Sequence, residues 1–141
     1  MSESILLYSS HRITPEELTE VIITEGGIVD WYDELFYGTL SPQKEAAIWL
    51  TIDDAGDLER RPLKVRQLVR EKLGAEPQAT VGIIISFKSG SQRLAVVFAN
   101  VCANRWPCVV DNLSWPDGEI FGKADMDRLL KTGEGFIDYG M

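Results

Sequence analysis

The sequence predicts an α+β fold: a ferredoxin-like β-α-β-β-α-β core followed by a C-terminal α-β-β-α extension, on a mostly antiparallel sheet. Three observations predict it. Short apolar and β-branched runs alternate with segments of helical periodicity. Helix start and stop signals stand at Thr14-Pro15, Gly74 and Gly133. The chain has 141 residues, 45% hydrophobic and 26% charged, which is the size and composition of one domain spanning 1–141.

Ile5 to Ser9 is a short apolar run and reads as a strand. In Thr14-Pro15-Glu16-Glu17, Thr14 caps a helix, Pro15 suits its first position, and Glu17 completes a capping box. Ile13 and Leu18 form a hydrophobic staple, and Leu18, Val21 and Ile22 the buried stripe. Gly26-Gly27 stops the helix. Ile28 to Tyr37 is one β-branched and aromatic strand, interrupted by Asp33-Glu34. Gly38 to Pro42 reads as a turn, and Glu45 to Ile52 as a second, buried strand in a hairpin with the first. An acidic loop, residues 53–57, precedes an amphipathic helix carrying Leu63, Val65, Leu68, Val69 and Leu73. Thr80 to Phe87 is the most apolar run and a central strand, closing the β-α-β-β-α-β unit.

Gln92 to Ala103 fits helix or strand; Leu94, Ala95, Phe98 and Cys102 share one helical face, and the length favours helix. Pro107 to Leu113 reads as a strand, Trp115 to Gly118 as a turn, and Glu119 to Phe121 as a return strand. Lys123 to Lys131 is a helix with Asp125 and Asp127 early and Lys131 late, as the helix dipole prefers.

Lysine and arginine total 14 against 22 aspartate and glutamate, a net charge of −8. Nucleic-acid binding needs a basic face to displace counterions, so that class is disfavoured, and anionic membranes would be repelled. A basic protein partner suits such a chain, because opposite charge speeds encounter. Solubility alone would also account for the charge. The N-terminus lacks a basic region followed by an apolar run, and no stretch reaches the ~18 apolar residues of a membrane helix. Cys102 and Cys108, without a signal, fit a reducing cytoplasm, both thiols buried as small hydrophobes.

Catalytic and cofactor motifs are missing. One histidine, His11, and two cysteines make no zinc spacing, and no metal or cofactor is expected. Gly118 to Lys123 is one residue short of a phosphate loop, and Ala124 stands where a magnesium-binding hydroxyl belongs. Asp111 ends an apolar run and is the one carboxylate that burial could turn into a base; turn chemistry with Asn112 competes for it. The balance is against an enzyme.

Residues 60–72 carry Arg60, Arg61, Lys64, Arg66, Arg70 and Lys72 against Glu71, a charge of +5, leaving −13 elsewhere. The segment reads as a solvated helix face answered by acids such as Asp57 and Glu59, rather than a nucleic-acid site. The acidic remainder interleaves with aromatics. Asp30, Asp33 and Glu34 interleave with Trp31, Tyr32 and Tyr37; Asp53, Asp54 and Asp57 lie in one loop, and Trp115, Asp117 and Glu119 in another. Aromatic anchors with charges on the rim are what a protein-binding face needs. Core packing of Trp31 and Trp49, with acids solvating loops, is the competing reading.

With Arg105-Trp106-Pro107-Cys108-Val109-Val110-Asp111-Asn112 inside the segment 99–117, the chain resembles the small immunity proteins of bacterial contact-dependent growth inhibition. An apolar helix, a Trp-Pro entry, a strand and a turn carry that resemblance, together with a single acidic α+β domain. It implies a cytoplasmic monomer or weak dimer that binds and neutralises a cognate toxin domain, of basic nuclease type. It transfers no individual binding residue. Trp31, Tyr32, Asp33, Asp53, Asp54, Asp57, Trp115 and Asp117 are the candidates for the binding face. The alternative is a small regulatory or ligand-binding ferredoxin-like module.

Overall fold

The computed structural model describes residues 2–32, 35–41, 46–53, 55–114 and 118–137, with residues 2, 31, 32, 35–37, 55 and 57 described by their backbone alone. The elements in chain order are β1 (Ser2–Ser9), α1 (Pro15–Thr24), β2 (Ile28–Tyr32), β3 (Leu35–Leu40), β4 (Ile48–Asp53), a 3-10 helix (Ala55–Arg60) and α2 (Leu63–Leu73). Then follow β5 (Ala79–Ser86), α3 (Ser91–Arg105), β6 (Cys108–Asp111), β7 (Ile120–Phe121) and α4 (Lys123–Thr132).

The strands form one seven-stranded sheet in the order β2-β3-β4-β5-β1-β6-β7. Every pairing is antiparallel. The α+β class and the C-terminal α-β-β-α extension therefore hold. The ferredoxin-like order does not describe this sheet. That unit places its first strand between the third and fourth of its four; here β5 lies between β4 and β1. The span 28–40 also supplies two strands, not one. Residues 28–32 and 35–40 fold back on each other, Tyr32 opposite Leu35 and Ile28 opposite Thr39.

Gly38, expected in a turn, is a strand residue for a packing reason. A Cβ there would collide with Ile22 Cδ1, and one at Gly27 would lie 2.6 Å from both Ile22 Cγ2 and Thr39 O. The two glycines let α1 lie close on β3. The capping box of α1 forms as expected: Glu17 N–H donates to Thr14 Oγ1 at 3.1 Å, and Thr14 N–H to Glu17 Oε1 at 3.0 Å. Ile13, Leu18, Val21 and Ile22 are all buried. Residues 91–105 are helical, entered through Gly90 at φ +88°. The acidic stretch 53–57 is less a loop than expected, since Asp53 ends β4 and Ala55 begins the 3-10 helix.

Alternation of side chains divides the sheet into two faces. Ile5, Leu7, Ile48, Leu50, Val81, Ile83, Ile85, Val110 and Phe121 point to one face, where α1, α3 and α4 cover them. On the other, Tyr8, Val109 and Ile120 pack with Leu58 and with Val65 and Val69 of α2. That helix lies chiefly over β6 and β7. Among the described residues, no helix covers the β2-β3-β4 side of this second face. Glu45 to Ile52 is thus not buried throughout; Glu45 lies outside the described residues, and Trp49 is 37% exposed.

Candidate protein-binding face

Register aligns the open face residue by residue. Ile28 stands opposite Thr39, Thr39 opposite Trp49, Trp49 opposite Ile84, and Ile84 opposite Ser4. In an antiparallel sheet directly opposed residues share a face, so these five form one row. Ile28 is 66% exposed and Trp49 37%, with Ile84 and Thr39 half-buried beside them. Alternation puts Asp30 on the same side as Ile28, and Thr51 and Asp53 on the same side as Trp49; Asp30 and Asp53 are exposed. Gly82 opposes Thr51 and leaves the face flat there: a Cβ would come within 2.5 Å of Thr51 Oγ1.

The seven strands contain Glu3, Asp30, Asp53 and Asp111 and no lysine or arginine. The basic segment does not offset this, because its charges are used locally. Arg61 pairs with Asp111 at 2.7 Å, Arg66 with Glu59 at 3.3 Å, and Arg70 with Glu59 at 3.1 Å and Glu76 at 2.9 Å. Lys72 donates to Ile120 O at 2.9 Å and pairs with Asp125 at 3.4 Å. The Arg70 hydrogen bonds hold the Glu76 carboxyl below the usual carboxylate range.

The sequence candidates fall unequally on this frame. Trp31 and Tyr32 lie in β2, at one edge of the sheet, opposite Phe36 and Leu35. Asp53 is the exposed last residue of β4, and Asp57 lies in the 3-10 helix. Asp33, Asp54, Trp115 and Asp117 lie outside the described residues. Strands β2 and β4 run the same way, so Tyr32 and Asp53 end at the same end of the sheet, two strands apart, about 10 Å. Strand β6 runs oppositely and sits five strand steps from β2, about 24 Å. The structure therefore brings Tyr32 and Asp53 toward one end of the sheet and sets both apart from β6. Sequence reasoning missed Trp49, which it assigned to a buried strand, and the exposed apolar Ile28. The available signal was alternation: Trp49, Thr51 and Asp53 interleave with Ile48, Leu50 and Ile52.

Asp111 is fully buried and its oxygens are engaged. Arg61 Nε donates to Oδ2, and Leu113 N–H to Oδ1 at 2.9 Å. Asn112 Oδ1 accepts from Ser114 N–H at 3.0 Å and Glu119 N–H at 2.9 Å, while its amide donates to Phe136 O at 2.8 Å. Leu113, at φ +57°, adopts the left-handed conformation this knot imposes. The turn role anticipated for Asp111 is thus present, joined to a buried ion pair. Cys102 and Cys108 are free and buried. Burial pushes the Cys108 thiol up to about 12, against a smaller lowering by the neighbouring Ser9 hydroxyl, and pushes Cys102 up as well. His11 is exposed, with Nε2 2.9 Å from Glu17 Oε2 and its ring stacked on Trp106. Among the described residues no group of three or more His, Cys, Asp or Glu could hold a metal ion, and no helix is long and apolar enough to cross a membrane. Comparison of the chain with protein-family models, with curated proteins and with solved structures finds no match.

Proposed function

We propose that this chain is an immunity-type binding protein that neutralises a basic toxin domain, using the open face of β2, β3, β4 and β5. One observation carries the reading: a row of exposed Ile28 and Trp49 with half-buried Ile84, bordered by Asp30 and Asp53, on strands that contain no cation. Trp49 is the anchor, since tryptophan in a desolvated contact dominates binding energy, and the carboxylates steer encounter with a basic cleft. The family resemblance of segment 99–117 and the net charge of −8 point the same way. The open face alone is about 20 Å by 17 Å at strand spacing, less than half of the ~800 Å² per partner of a standard interface. The partner must therefore also reach the face's margins.

The test begins with the DNA beside the gene. A large exported protein with a basic C-terminal domain is expected there, and that domain, co-expressed, should co-purify with this chain and lose its toxicity. Trp49→Ala should weaken the complex about 100-fold and leave stability within about 1 kcal/mol. Absence of such a neighbour, or of a complex with it, sinks the proposal. A second reading, a small ligand-binding module, is favoured by a cavity of about 160 Å³ lined by Arg12, Ile13, Ile52, Asp53 and Gln78. It predicts thermal stabilisation by a small polar molecule and no dedicated protein partner.

A further inference from the structure

Strand β2 closes one side of the sheet, and among the described residues no strand pairs with its outer edge. Edges of this kind are ordinarily protected by lysine, proline, a bulge or extreme shortness. The opposite edge, β7, has two residues; β2 has five, Ile28-Val29-Asp30-Trp31-Tyr32, all but one β-branched or aromatic and without lysine, proline or glycine. It is an accepting edge with a single charge, and that charge stands at its midpoint.

The position of Asp30 decides between occupants. If a second copy paired antiparallel with full overlap, Asp30 would face Asp30 about 5 Å away, and like charges directly opposite destabilise a strand pair. Shifting the register by two residues relieves the clash but leaves only three residues paired. A foreign strand with lysine or arginine opposite Asp30 gains where the second copy loses. We propose that the outer edge of β2 receives an extended segment of the partner by strand addition, and that Asp30 selects a segment with a cation at its centre and rejects self-pairing. This rests on the protein-binding reading above and supplies the margin that the open face lacks. Backbone pairing would hold the segment, and the Asp30 contact would set its register.

The probe is a capped heptapeptide, Thr-Val-Thr-Lys-Thr-Val-Thr, titrated into the ¹⁵N-labelled full chain, beside the same peptide with central Glu and one N-methylated at alternate residues. Amide shifts should centre on Ile28 to Tyr32. The Lys peptide should bind about tenfold tighter than the Glu peptide, the preference should reverse in Asp30→Lys, and N-methylation should abolish binding. Equal affinity for the Lys and Glu peptides, or no shift at Ile28 to Tyr32 with millimolar peptide, overturns the inference. If the peptides fail while Trp49→Ala still weakens toxin-domain binding about 100-fold, the edge assignment falls and the open-face reading stands. If the peptides bind as expected and no toxin domain does, the edge assignment stands without the immunity reading.

Discussion

Arg61 Nε donates at 2.7 Å to Oδ2 of Asp111, a carboxylate with no solvent exposure, fifty residues away in sequence. The pair fastens the exit of the 3-10 helix to the end of β6. Removing one partner of a buried pair leaves an uncompensated charge. Arg61→Met is therefore expected to destabilise the fold by about 3 kcal/mol, the low end for such losses because Arg61 keeps some contact with water. Urea denaturation measures this; a change under about 1 kcal/mol would show that the pair does not hold this corner.

Gly118 and Gly133 share φ +79° but not surroundings. A Cβ at Gly133 meets nothing within 4 Å, whereas one at Gly118 would lie 2.8 Å from Asp111 Oδ1 and 2.9 Å from Arg61 Nη2. Gly133→Ala should cost about 1 kcal/mol, the left-handed backbone term alone. Gly118→Ala should cost about 2–3 kcal/mol, because it also disturbs the ion pair. Thermal unfolding of both variants checks the difference; equal losses would mean that the loop yields without moving the pair.

Stability should fall in acid in a way that Glu17 helps to set. The Thr14 N–H and then His11 hold its carboxyl below the ordinary value of 4.5. The unfolded chain takes up this proton first as pH falls, so the stabilisation is full above 4.5 and disappears as pH drops through the lowered folded value. Asp127, lowered by Lys123 and Asn100, and Glu76 act in the same sense. Glu17→Gln keeps an oxygen for the cap and removes the charge. Its stability is expected to fall less steeply below pH 4.5 than that of the parent chain, measured by denaturation at stepped pH; parallel curves would remove Glu17 from the account.

Neither thiol should react in the native state. Burial pushes Cys108 up to about 12 and raises Cys102 too, so almost no thiolate exists at neutral pH. A thiol-specific disulfide reagent is expected to label neither cysteine until denaturant is added, and then both. Rapid labelling of either in buffer would mean that α3 or β6 opens locally.

What the sequence revealed and what it hid have physical reasons. Helix α1 was legible because its signals are local: the Thr14–Glu17 box, Pro15, and the Leu18, Val21 and Ile22 stripe all lie within one segment. The helical reading of 92–103 held because its apolar positions share one face and Gly90 opens it. Gly38 misled because a glycine required by a neighbouring helix looks like a glycine required by a turn; only Ile22, sixteen residues away in sequence, distinguishes them. Strand order stayed hidden because β1 could pair with any antiparallel neighbour of matching pattern, and choosing β5 over β4 depends on the whole sheet. For the candidate face, the acids Asp53 and Asp30 were within reach of charge reasoning. Trp49 was not, because its exposure follows from α2 crossing β6 and β7 rather than β4.

Strand β1 lies between β5 and β6, with Leu7 opposite both Val81 and Val110. The β2-β3-β4 meander closes through short connections and has its partners at hand as the chain emerges. For β1 the wait is long, since both neighbours come from seventy or more residues downstream. The earliest strand in the chain thus has both edges open until β5 is made at residue 86, and one edge open until β6 is made at residue 111. Such distant pairing makes folding slow and leaves an apolar strand uncovered during synthesis. A lesion in Ile5 or Leu7 would therefore reduce the yield of folded protein by more than the lost packing of one side chain implies.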